Sequence, residues 1–179
     1  MDGWGPRTYG EPCQGCGFSW RAAVPDAVAS VAAFPTVLAH DVADAAGDEH
    51  GAGLAWSVTA YVAHVSDNLR IWSERIAGVT LGGSSVVTSY DENLLATARA
   101  YEAVSGESAM WGLEHSVRDW LEAVAGAPAG LTLTHPERGV LEIDQIVRGN
   151  AHDAIHHLWD IRRILAVQPK QRAWGVVDE

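Results

Sequence analysis

The sequence predicts an all-α protein, a helical bundle standing behind an irregular N-terminal arm. Three observations carry this expectation. Four or five segments repeat apolar residues at spacings of three and four, the period of helices that bury one face. Residues that start and stop helices punctuate those segments. Strand-like residues are confined to one short stretch, 131–134, which has no evident partner and reads as an extended loop.

The elements follow in order. Residues 1–23 are rich in Gly and Pro, with Trp4, Tyr9, Phe18 and Trp20 interspersed. Aromatic rings favour burial, so this reads as an ordered arm rather than a linker. The body spans 24–168 and a tail 169–179. A first helix is expected over 26–46, with Val28, Val31, Val37, Leu38 and Val42 at mixed spacings of three and four and Pro35 kinking or restarting it. Ser57 is a good N-cap for the second helix and Gly78 a good residue to end it. Between them Val58, Tyr61, Val62, Val65, Leu69, Trp72 and Ile76 share a face. A third helical region starts near Asp91 and breaks at Ser105-Gly106. It resumes over 107–124 with Leu113, Val117, Trp120 and Leu121 on one side. The last helix is expected over 141–167, stopped by Pro169. Long amphipathic helices in such number bury their stripes against each other as a bundle.

Composition bounds the function. The chain of 179 residues suits one domain with a full core, and 47% hydrophobic with 20% charged residues is ordinary for a globular protein. A net charge of −11, with Lys170 the single lysine, argues against nucleic acid or an anionic membrane as partner. Lysine scarcity beside abundant Ala, Val and Gly suggests a GC-rich bacterial source. No apolar run approaches the roughly 18 residues of a membrane span, and the N-terminus lacks a basic-then-apolar signal pattern, so the expected location is cytoplasmic.

The two cysteines, Cys13 and Cys16, form half of a zinc ribbon with no second cysteine pair to complete it. Three readings stand: a reduced structural turn, a redox or thiol-handling pair, or a metal site completed by histidines or by another chain. A static disulfide suits a reducing cytosol poorly.

The densest chemistry lies at 152–160, where His152, Asp153, His156, His157 and Asp160 crowd into nine residues of an otherwise apolar helix. Such groups are costly to hold near a core unless a metal ion or a partner compensates them. Helical spacing offers two pairs, His152 with His156 and Asp153 with His157. With Ile143 at zero, the apolar stripe centres near about 30–40°, His157 at about 320° and Asp153 at about 280°. His152 and His156 fall at about 180° and 220°, on the far side. The carboxylate–imidazole pair is therefore expected to border the core, and the two-histidine pair to face solvent or a partner.

Two segments carry a family resemblance. They are Trp56-Ser57-Val58 with Ala63-His64 in the second helix, and Asp153-Ala154-Ile155-His156-His157-Leu158-Trp159-Asp160-Ile161-Arg162-Arg163 in the last. Together they resemble the DinB-like superfamily, which includes the mycothiol-dependent maleylpyruvate isomerases and related thiol S-transferases. His135-Pro136-Glu137-Arg138-Gly139 is similar to the turn before the last helix in these proteins. The likeness covers roughly 24–167 and excludes the cysteine arm.

The resemblance implies a DinB/YfiT-like four-helix bundle with a divalent metal on His64, Asp153 and His157, the pair His152 and His156 being the runner-up. Asp153 stands where the family usually has Glu or His, one methylene shorter than Glu, which implies a site that is looser or shifted towards His156. Two imidazoles and a carboxylate with open positions suit Zn²⁺, and also Fe²⁺, Ni²⁺ or Mn²⁺. The implied activity is a thiol-dependent, mycothiol-type S-transfer or isomerisation of a small electrophilic substrate. Metal-dependent hydrolysis of a small molecule, or a non-catalytic stress-response bundle, are the alternatives. Asp67, Asn68, Asp160 and His156 are candidates to orient ligands or substrate. Asn68, Trp72 and Arg75 are candidates for substrate contact, and Arg148 and Arg163 for holding a carboxylate. Trp111 with His115 lies off its helix's stripe, and exposed aromatic residues of this kind suggest a homodimer.

Overall fold

The computed structural model describes residues 4–167. Pro169 and the tail 169–179 lie outside the described residues. The chain order is α1 (Pro6–Tyr9), α2 (Val24–Asp41), α3 (Val58–Thr80), α4 (Glu92–Ala98), a 3-10 turn (Tyr101–Ala103), α5 (Gly106–Gly126), β1 (Thr132–His135), β2 (Gly139–Glu142) and α6 (Ile143–Val167).

The bundle is built from α2, α3, α5 and α6. α3 packs chiefly on α5 and α2 on α6, while α2 with α5 and α3 with α6 close the ring. Helices consecutive along the chain, α2 with α3 and α5 with α6, therefore stand diagonally. The long connections make this feasible, since residues 42–57 and 127–142 can each cross an end of the bundle. Val31, Leu38, Val65, Leu69, Ile76, Leu113, Trp120 and Ile161 meet in the core, each fully buried. No described helix is long and apolar enough to cross a membrane.

Side-chain caps set the helix starts, at Ser57 and near Asp91 as the sequence suggests, and at Ser105, which the sequence marks only as a break. Ser57 accepts from the Ala60 amide, Asp91 from Asn93 and Leu94, and Ser105 from Ser108. Other features of the helices differ from the expectation. Pro35 neither restarts nor divides α2, because Phe34 and Leu38 beside it are buried in the bundle and packing outweighs one lost backbone bond. α2 stops at Asp41 instead of continuing to 46, since the Glu49 carboxylate takes the Ala46 and Gly47 amides, both at 2.7 Å. Gly78 lies inside α3. The left-handed turn falls on Gly82 (φ 87°), and the Gly83 amide donates back to the Gly78 carbonyl at 2.8 Å. The third region breaks earlier than Ser105-Gly106, at Ala100, a non-glycine residue held at φ 50°.

The extended stretch 131–134 does not stand alone. Thr132–His135 pairs antiparallel with Gly139–Glu142, Leu133 opposite Leu141, and Gly139 (φ 71°) turns the hairpin. The last helix consequently starts at Ile143, two residues later than its apolar periodicity suggests.

Candidate metal centre and cavity

α3 and α6 cross where their polar residues meet. From Ser57 to Ser73, α3 with its cap has no exposed residue, because α5 and α6 cover its apolar stripe while Ala96 and Tyr101 pack on Ala60 and Ala63 behind it. Polar groups on this helix are thus forced to find partners inside the protein. His64 finds them on α6. Its Nε2 lies 3.8 Å from Asp153 Oδ1, and His157 Nε2 lies 3.7 Å from that same oxygen. The two imidazole rings stand 4.8 Å apart and nearly perpendicular, at 89°.

The three ligand atoms lie within 4.8 Å of one another. Zinc bonds of ~2.0–2.2 Å would place neighbouring nitrogen and oxygen ligands about 3.4 Å apart. The observed spacings are therefore a few tenths of an ångström too wide for such a cation and too long for hydrogen bonds. The other nitrogen of His157, Nδ1, is 3.1 Å from Asp160 Oδ2, the carboxylate–imidazole support that commonly fixes a metal-binding ring. Asn68 Nδ2 donates to Asp153 Oδ2 at 2.5 Å, leaving Oδ1 facing the two rings. His64 packs on Trp56 with ring centres 4.8 Å apart, and its Nδ1 is buried without a hydrogen-bond partner among the described residues. The residue types fit a divalent cation, and a closing shift of a few tenths of an ångström on Asp153 Oδ1 would bring these two spacings to its bonding geometry.

The charges agree. Burial raises the Asp153 pKa, but His157, His64 and Asn68 outweigh it and hold the carboxyl well below its ordinary range. Burial lowers His157, but Asp153 and Asp160 outweigh it and bring that imidazole above its ordinary value. Asp153 is thus held as the anion a cation needs, while His157 gives up its extra proton on ligation.

His152 and His156 do not face solvent. His152 is only 3% exposed, beneath Trp20, Tyr9 and Phe18 at ring distances of 4.3, 4.7 and 5.7 Å. Cys13 Sγ lies 3.5 Å from His156 Nδ1. The arm is the partner that covers this side of α6, which a wheel drawn from one helix has no means to show. Cys13, Cys16, His152 and His156 form a second group whose ligand atoms lie within 4.8 Å of one another.

The other sequence candidates divide. Asp67 is anchored away from His64, accepting from Tyr101 Oη at 2.7 Å and pairing with Arg99 at 2.6 Å. Arg148 donates to the Ala22 carbonyl and Arg163 pairs with Asp160, so neither faces the cavity described below. Trp159 packs under His156 and Arg163. Trp111 is 64% exposed with its ring 3.8 Å from His115.

A cavity of about 600 Å³ opens beside His64, Asp153 and His157. Trp56, Asn68 and Trp72 line its helical side, and Trp4 and Tyr9 of the arm line another. Its remaining wall brings Arg75, Tyr90, His135 and Arg138 together. The Arg75 guanidinium lies over the Trp72 ring at 4.6 Å and donates to the Thr88 carbonyl. Arg138 lies over Trp4 at 4.6 Å. Burial lowers the Arg75 pKa and the nearby Arg138 lowers it further; His135 is lowered by burial and by both arginines. Arg75 and Arg138 bring positive charge to this wall, with Glu92 and Glu137 also on the lining, against a ligand group that bears the Asp153 carboxylate. Sequence reasoning overlooked Arg138 and His135 as cavity groups, although both sit in the turn that resembles the family; the hairpin that carries them inward was the missing element.

No family model and no curated protein matches the chain. Among solved structures it is similar to YfiT from Bacillus subtilis, with a TM-score of 0.66 and 16% sequence identity over 80% of this chain and 84% of that one. That protein is described as a probable metal-dependent hydrolase with an unusual four-helix bundle topology. The two chains share a fold, the one the sequence resemblance implied.

Proposed function

We propose that this chain is a divalent-metal-dependent enzyme of the DinB-like superfamily acting on a small anionic molecule. The observation that carries the reading is the meeting of His64 Nε2, Asp153 Oδ1 and His157 Nε2 at the edge of a cavity with an arginine wall. Bound there, the cation would polarise an electrophile or activate a nucleophile. Asp160 would hold the His157 ring, and Asn68 would hold Asp153, so that both present the same faces in each turnover. Arg75 and Arg138 would take a carboxylate or phosphate of the substrate, relieving their mutual repulsion. Trp56 and Trp72 would exclude water from the rest of it.

The reaction we favour is thiol-dependent S-transfer or isomerisation, with a low-molecular-weight thiol as co-reactant. The motif around His64 and His157 supports it, as do the two wall arginines, Arg75 and Arg138, able to hold a carboxylated thiol. Hydrolysis is the second reading, favoured by the description of the structural neighbour. A cavity this size beside the ligands argues against a purely structural metal. Zn²⁺ suits the donor set, and Fe²⁺, Ni²⁺ or Mn²⁺ remain compatible.

The test measures metal content of protein purified without added metal, then turnover of small electrophiles and esters with and without a carboxylated thiol. Thiol consumption that requires the electrophile, and that disappears in His64→Ala and His157→Ala, supports S-transfer. Turnover without thiol supports hydrolysis. Unchanged metal content in both variants would sink the site itself.

A further inference from the structure

The arm contributes a wall of the cavity, so what holds the arm matters. Among its described residues it is short of regular structure, with the four residues of α1 as the only helix. Its cysteines lie in a tight turn: the Gly17 amide donates to the Cys13 carbonyl at 2.9 Å, and the Cys13 amide to the Phe18 carbonyl at 2.8 Å. Gly17 adopts φ 77°, which lets the turn close directly after Cys16. Gly15 sits against α6, where a Cβ would stand 3.0 Å from His156 and 3.1 Å from Trp159. The turn is thus seated on the helix by a residue with no side chain, and both thiols face the two histidines.

Cys13 is 2% exposed, and no disulfide joins it to Cys16. His152, 3% exposed, leaves its Nε2 without a hydrogen-bond partner among the described residues. Such a nitrogen costs about 1–3 kcal/mol when left unsatisfied. Zinc bonds of ~2.3 Å to sulfur and ~2.0 Å to nitrogen place adjacent ligands about 3.5 Å apart. Cys13 Sγ and His156 Nδ1 stand at 3.5 Å.

We propose that Cys13, Cys16, His152 and His156 form a second metal site, a closed tetrahedral centre for a zinc-class cation, which fastens the cavity-forming arm to α6. Two thiols, a C-x2-C spacing and an i, i+4 histidine pair are the donor set of a structural site, with all four positions filled by protein. Each thiol gives up its proton on ligation, so one dication binds as two protons leave, and the buried centre carries no net charge. The cation needs no oxidant and no substrate. A disulfide would leave both histidines without a purpose in this cluster.

The experiment loads the full chain with Co²⁺ alone. The site at His64, Asp153 and His157 contains no sulfur, so thiolate-to-cobalt charge-transfer absorption reports the second site specifically. The expected result is that band in the wild type and in His64→Ala, and its loss in a Cys13→Ser, Cys16→Ser double variant. Thiol labelling of the metal-loaded wild type should be slow and should accelerate at least tenfold with chelator. Amide exchange over residues 5–20 should rise with chelator. Absence of the band in the wild type overturns the proposal. So do thiols that react equally fast with and without chelator, or a disulfide found in freshly purified protein. These wild-type readings decide the matter even if the double variant does not fold.

Discussion

His156 and His157 are neighbours in sequence, yet their rings lie 6.0 Å apart at 81° to each other and serve different clusters. One turns towards Cys13 in the arm and the other towards His64 in α3. A helix advances about 100° per residue, so a single step suffices to change the structure a side chain reaches. Two side-chain pairs, His152 with His156 and Asp153 with His157, offset by that step, divide α6 between two clusters.

The carboxylate behind His157 should act through the ring. Asp160→Asn keeps the shape but weakens acceptance from Nδ1. Cation affinity at the His64 site is expected to fall about 10–100-fold. Competition with a chromophoric chelator, measured in the Cys13→Ser, Cys16→Ser background, isolates that site.

Arg75→Ala should raise KM for an anionic substrate about 10–100-fold, the worth of one charged hydrogen bond, ~1.5–3 kcal/mol. The metal content should not change. Equal loss of kcat, with KM unaltered, would place Arg75 outside substrate binding.

Trp4 offers a test of the arm's place in the cavity. A Cβ on Gly149 would stand 2.0 Å from the Trp4 ring, so Gly149→Ala must push that ring aside. Helix propensity alone predicts a gain of up to ~1 kcal/mol from this change. The expected outcome is instead weaker substrate binding with both metal equivalents retained, read by titration and elemental analysis.

The core has one polar joint that can be broken cleanly. Trp120 Nε1 donates to Asn150 Oδ1 at 3.0 Å, with both residues buried. Asn150→Ala strands the indole N–H and should cost about 1–3 kcal/mol. A fall in Tm of roughly 2–4 °C per kcal/mol is expected by calorimetry.

Acid should destabilise the metal-stripped protein through His152. Burial, with His156 next, lowers its pKa from 6.5 to about 4. The unfolded chain then takes up the proton first. Stability from this group is intact above pH 6.5 and lost as pH falls towards 4, by up to about 3 kcal/mol. His157 has the opposite sign: its raised pKa contributes most below pH 6.5 and fades as pH rises through the folded value. Denaturation with chelator present, comparing wild type with His152→Gln, should show a flatter acid limb in the variant.

Much of this was readable from residues. Ser57 and Asp91 announce helix starts because a cap is a local bond between a side chain and the next turn, whereas Ser105 reads as a break and proves to be a cap. The inward direction of Asp153 and His157 follows from the stripe of their own helix. His152 escaped because it is buried by Tyr9, Phe18 and Trp20, more than 130 residues away in an arm with no period to read. The hairpin escaped because Val140 and Leu141 suit the first turn of a helix as well as a strand. His64 gave no sign of its partners from α3 alone. Its place beside Asp153 came from the family resemblance and agrees with the fold.

One further consequence follows from how α6 is enclosed. No residue from Ile146 to Ile161 is exposed. Bundle helices of ordinary kind leave a wet side on which mutation is nearly free, so accepted changes recur every three or four positions. Here that freedom is gone for more than four turns. Sequence drift among relatives that keep the arm should spare an unbroken block of α6, whereas relatives lacking the arm should regain variation at the positions of His152, His156 and Trp159.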